Sequence, residues 1–138
     1  MQSFVGCIFH YKDIFEKSNG HYCVVIAEDL EKKTLIAVRI TSKLRRLPRT
    51  QNAVFILPLE DVFRIFPRSL YGQGIKDWHK ESKIFFADTI ERNISDISFK
   101  PNKCPEDILR NIIDTIKNAY PYVLRTEFMR YFIKPNKA

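Results

Sequence analysis

The apolar residues of this chain change their spacing near residue 105, and that change limits the folds open to it. Before it they come in short β-prone runs separated by polar turns. Residues 4–9 (Phe-Val-Gly-Cys-Ile-Phe) read as a first strand. Ser18-Asn19-Gly20 is a turn, and residues 22–27 after it are a second, largely buried strand. Residues 28–33 hold five charges in six positions and predict a hairpin connection. Residues 34–40 are a third strand, in which Leu35, Ala37 and Arg39 alternate against Thr34, Ile36, Val38 and Ile40. Residues 53–57 are a fourth, stopped by Pro58. Leu59, Val62, Phe63 and Phe66 fit a short helical face ended by Pro67. A polar loop over 71–81 precedes a fifth strand, residues 83–90, and a short sixth, residues 96–99. Strands this short and this close predict a small curled sheet or barrel rather than βαβ units.

From Pro105 onward Ile108, Leu109, Ile112, Ile113, Ile116 and Tyr120 fall at helical spacing. Proline suits a first turn, where its missing N–H has no partner to lose. Glu106 and Asp107 favour the positive end of the helix and Lys117 the negative end. Leu124, Phe128 and Tyr131 or Phe132 predict a second short helix. The chain is expected to be one domain over 1–138, mainly β with C-terminal helices: a barrel core about 4–100 and a helical part about 105–133.

Lys and Arg number 23 against 16 Asp and Glu, a net charge of +7. Such a surface attracts phosphates, anionic membranes or acidic proteins; nucleic acid is the expected partner. No apolar run is long enough to span a membrane, and the first residues lack the pattern of a secretory signal, so the cytoplasm is the expected compartment. Cys7, Cys23 and Cys104 are an odd set with no metal-binding spacing; they are expected to be buried free thiols, and no metal or cofactor is expected.

Chemistry concentrates in residues 39–50, which hold five basic residues and no acid. The segment leaves a buried strand, so its charges cluster at one end of the sheet. Lys43, Arg45, Arg46 and Arg49 are the expected phosphate contacts; the alternative is a solvated loop. The hydroxyls of Thr41 and Ser42 sit where the strand ends. They can polarise a phosphoryl oxygen or simply close a turn. His10 and His21 fall at the same end of adjacent strands if the intervening loop is a hairpin. Trp78 and Tyr71 can stack on unpaired bases, with His79 beside them, or pack the loop onto the barrel. Asp88 is an acid in an apolar strand, suited to orienting an arginine or moving a proton.

Taken in order, these segments resemble the MazF/PemK/Kid toxins of bacterial toxin–antitoxin modules. Gly6-Cys7-Ile8-Phe9 looks like that family's opening "G-[DE]-[IV]" strand. Val38-Arg39-Ile40-Thr41-Ser42-Lys43 looks like its "V-x-P-[IL]-T-[ST]-[KR]" strand end, and residues 82–90 its "D-S-x-[VA]-[LV]-x-D-Q-[IV]" strand. The resemblance covers roughly residues 4–118. It implies a small SH3-like β-barrel, commonly homodimeric. It also implies metal-independent cleavage of single-stranded RNA, often mRNA, by attack of a ribose 2′-OH on the adjacent phosphate. Thr41 and Ser42 would contact the scissile phosphate and Asp88 would stand where some members carry a functional acid. A cognate antitoxin protein is the expected partner.

The chain departs from that pattern where chemistry matters most. The family's Arg-Pro is here Tyr22-Cys23, its proline before Ile-Thr-Ser is Arg39, and its Gln after the acid is Thr89. Either His21 and Arg39 rebuild the site, with His21 as base or acid and Arg39 as charge stabiliser, or the barrel is an inactive nucleic-acid or protein-binding module.

Overall fold

A computed structural model describes residues 3–11, 20–41, 54–70, 80–86, 89–119 and 126–132. In chain order these form β1 (Cys7–Tyr11), β2 (His21–Asp29), β3 (Thr34–Thr41), β4 (Val54–Leu57), α1 (Leu59–Ile65), β5 (Ser82–Phe85), β6 (Ile90–Asn93), β7 (Phe99–Lys103) and α2 (Glu106–Asp114). A wider π-helical turn, Thr115–Ala119, continues α2, and short 3-10 segments lie at Arg68–Leu70, Ile94–Asp96 and Thr126–Tyr131.

Every pairing is antiparallel, in the order β4-β5-β3-β2-β1-β7. β3 is long enough to share its outer edge between two short strands. β6 pairs with it from Thr34 to Ala37 and β5 at Ile40 and Thr41. The expected curled sheet with C-terminal helices is therefore present. The expected closure into a barrel is not: β4 and β7 end the ladder on opposite sides and do not pair with each other among the described residues.

The alternation in β2 and β3 sorts the apolar side chains into two clusters on opposite faces. Ile36, Val38 and Ile40 join Ile8, Tyr22, Val24 and Ile84 on the face covered by α1, α2 and the last 3-10 segment. Leu35 and Ala37 join Phe9, Cys23, Val25 and Ile90 on the other. A bulge in β2 leaves Ile26 between the pairs Val25–Ala37 and Ala27–Ile36, so Ile26 and Ala27 both serve the helical face.

Three expectations change in detail. The predicted strand over 83–90 is two strands. In one continuous strand Phe86 and Ile90 would share a face, yet Phe86 lies in the helical-face cluster and Ile90 in the opposite one. The break is held by Thr89, whose N–H and hydroxyl both donate to the Phe86 carbonyl at 3.2 and 2.5 Å. The predicted strand over 96–99 starts later, as β7. It is an edge strand, where Pro101 and its missing donor are tolerated. In α1 the inward face is Val62, Ile65 and Phe66, while Leu59 is 44% exposed. α2 follows its predicted pattern, burying Ile108 and Ile112, with Ile116 buried in the next turn.

Two contacts set the helices. Arg64 of α1 donates through both terminal nitrogens to the Asp107 carboxylate of α2, at 2.8 and 2.7 Å. That arginine holds the Asp107 carboxyl below its ordinary range. Asn102 Nδ2 donates to the Ile65 carbonyl at the end of α1. The three cysteines are free. Cys23 and Cys104 are buried and Cys7 half-buried, and burial pushes the Cys104 thiol up to about 12, which leaves it protonated and unreactive at neutral pH.

Gly6 joins three segments: its N–H donates to the Val25 carbonyl and its carbonyl accepts from the Cys104 N–H, both at 2.8 Å. Its φ is +93°, and a Cβ there would meet Leu109 Cδ2 at 3.1 Å. Gly6→Ala should therefore lower the unfolding free energy by about 1–2 kcal/mol, the usual penalty for an L-residue at positive φ. Urea denaturation measures it, and unchanged stability would contradict the assignment.

Candidate nucleic-acid interface

The candidate site lies at one end of the sheet, on the face opposite the helices. Its position follows from register. Tyr11 of β1 faces His21 of β2, and Thr41 of β3 faces Lys83 of β5, which in turn faces Ile56 of β4. His21 and Thr41 stand one step beyond the Tyr22–Ile40 pair. Facing residues in antiparallel strands share a side of the sheet. Tyr11, His21, Thr41, Lys83 and Ile56 thus form one row across five strands.

Arg39 is two residues before Thr41 on the same strand, so it shares this side, paired with Cys23. Of the predicted catalytic set, His21, Arg39 and Thr41 are brought together at this end. His21 and Arg39 are half-buried, and Thr41 is only 4% exposed. Ser42, Lys43, Arg45, Arg46 and Arg49 lie outside the described residues, in the stretch that follows Thr41 directly. Trp78, His79 and Asp88 also lie outside them. His10 is at the same strand end as His21, as the hairpin reading requires, but on the helical face. Its ring meets Tyr22 edge-on at 5.1 Å.

Two cations and an aromatic on this face were not singled out from sequence as ligands. Lys83 is the second residue of β5 and shares the row with Thr41. Arg92 pairs with Leu35, which puts it on the same face, and its Cζ sits 4.1 Å from the centre of the Tyr11 ring. Arg39 Cζ is 5.6 Å from that ring. In a flat sheet β6 and β1, three strand spacings apart, would be separated by about 14 Å. Contact between Arg92 and Tyr11 across that interval makes this face concave. Among the described residues, none of Arg39, Lys83 and Arg92 is in an ion pair. The signal in the sequence was the alternation itself: Lys83 precedes Ile84, and Arg92 follows Ile90 by two.

Position 22, where the resembling family carries arginine, faces the other way. Tyr22 is 9% exposed and its ring lies 4.7 Å from that of Phe66 in the helical-face core. A residue there cannot join the row containing His21 and Thr41.

The arrangement combines fixed cations, a hydroxyl, an imidazole and a stacked aromatic on one concave surface. It can hold a phosphodiester, offset charge on its oxygens and move a proton beside it. Among the described residues no helix is long and apolar enough to cross a membrane. No protein-family model and no curated protein matches the chain.

Proposed function

We propose that this protein is a metal-independent endoribonuclease that cleaves single-stranded RNA, with mRNA as the foremost substrate. The observation carrying the reading is the shared placement of His21, Arg39 and Thr41 at one end and on one face of the sheet, where the basic stretch 42–50 begins. In the reaction a ribose 2′-oxygen bonds to the adjacent phosphorus and its proton passes to a base. The bond from phosphorus to the 5′-oxygen breaks, and that oxygen takes a proton. The products are a cyclic phosphate and a 5′-hydroxyl. His21 is suited to the proton transfer and Arg39 to the charge on the phosphoryl oxygens. Thr41 and Ser42 hydrogen-bond the phosphate, and Asp88 orients the cationic groups. In this reading the curled sheet is a variant of the small SH3-like barrel, working in the cytoplasm as a homodimer restrained by an antitoxin protein.

Incubation of the purified protein with long single-stranded RNA should yield fragments equally with and without EDTA. No cleavage in either condition would overturn the reading.

One observation favours a second reading, a binding module without catalysis: the burial of Tyr22 against Phe66 at the position of the family's arginine. Such a module would bind RNA saturably, with affinity falling steeply as salt rises, and release no product.

A further inference from the structure

Arg39 and Arg92 share one tyrosine ring, and nothing described neutralises them. Their Cζ atoms lie 5.6 and 4.1 Å from the Tyr11 centroid. Guanidinium groups settle on an aromatic face because its quadrupole is negative there. Two full charges on one ring nonetheless repel each other, and among the described residues no carboxylate pairs with either. Arg39 Nε is buried with no hydrogen-bond acceptor. Arg92 uses one terminal nitrogen on the Glu91 carbonyl, at 2.7 Å. A group that brings several acceptor oxygens and negative charge would satisfy both. Guanidinium forks bind tetrahedral oxyanions through paired N–H donors.

We propose that Arg39 and Arg92, seated on Tyr11, form a two-arginine clamp for a phosphate group of the nucleic-acid backbone. The identity of the phosphate carrier rests on the function proposed above; the clamp itself does not. Arg92 stands on β6, well along the concave face from the end of β3 where the basic stretch begins. A strand bound along this face therefore runs from the end of β3 past Arg39 to Arg92, and at least one phosphate is held beyond the one that reacts.

The test is an NMR titration of the full, isotope-labelled chain, following the Nε–H signals of Arg39 and Arg92 and the ring signals of Tyr11. Inorganic phosphate is added at constant ionic strength in one series and a short single-stranded oligoribonucleotide in another. All three residues should shift saturably with both, the oligomer acting at the lower concentration. Arg92→Gln should raise the phosphate midpoint about tenfold or more, the loss expected for a charge-assisted pair, with the melting temperature unchanged. Arg92→Lys should restore it only in part, because lysine keeps the charge and loses the fork. Non-saturating shifts with phosphate, or an unchanged midpoint in Arg92→Gln, overturn the clamp. Saturation by phosphate but not by the oligomer overturns the backbone assignment. Absence of RNA cleavage alongside saturable phosphate binding removes the nuclease reading and leaves the clamp standing.

Discussion

Replacing His21 with alanine should reduce the rate of RNA cleavage about 10²-fold or more, the usual contribution of a positioned proton-transfer group. The fold should survive, because His21 is half-buried at the first position of β2 and belongs to neither apolar cluster. RNA binding should also persist, since the cations of the face are untouched. Single-turnover cleavage beside a binding titration separates the two quantities. Wild-type rates in His21→Ala would remove the imidazole from the mechanism. For the charge at Arg39, glutamine is the better probe than lysine, which keeps the charge. If both positions prove dispensable while RNA is still cut, the reacting groups must be sought at Arg45, Arg46 and His79.

The largest loss of stability is expected at Phe66. Its side chain is fully buried where α1 ends, tilted against Tyr22 at 4.7 Å, in the cluster that joins the sheet to α1, α2 and the last 3-10 segment. Phe66→Ala removes a fully buried aromatic from that cluster and leaves a cavity in its place. It should lower the unfolding free energy by about 3–5 kcal/mol, a large part of the ~5–15 kcal/mol that usually holds a domain together. Phe66→Leu keeps most of the volume and should cost less. Urea denaturation of both variants measures the difference, and equal losses would show that the ring's size is not what the site requires. Should His21→Ala cut activity while Phe66→Leu leaves it unchanged, the catalytic and packing faces of the sheet are energetically separate.

Local pattern determined much of the architecture. The alternation in 34–40 already divided Leu35, Ala37 and Arg39 from Ile36, Val38 and Ile40, and the two faces of β3 carry that division unchanged. The spacing of Ile108, Ile112 and Ile116 specified which side of α2 is buried. It also followed from strand period that Arg39 and Thr41 share a side, because two residues in an extended chain always return to the same face. Pattern could not show that the run 83–90 is cut in two, since every residue in it is compatible with one strand. The cut arises because Phe86 and Ile90 are drawn to clusters on opposite faces, a preference visible only once both clusters exist.

The site divides in the same way. His21, Arg39 and Thr41 were legible as residue types near strand ends, and hairpin connectivity was enough to gather them. That Tyr22 turns away from them depends on the pleat of β2 and on the helices that cover its other face. Arg92 is 53 residues from Arg39 and 81 from Tyr11 in the chain, with nothing nearby to mark it. It reaches the Tyr11 ring because β6 takes the outer edge of β3 and the sheet curls, bringing residues from strands three places apart within contact. Side-chain chemistry and strand period are carried by neighbours in sequence, and so can be read there. Which strands lie side by side, and how far the sheet bends, is decided by packing among segments remote from one another, and only the folded chain contains that.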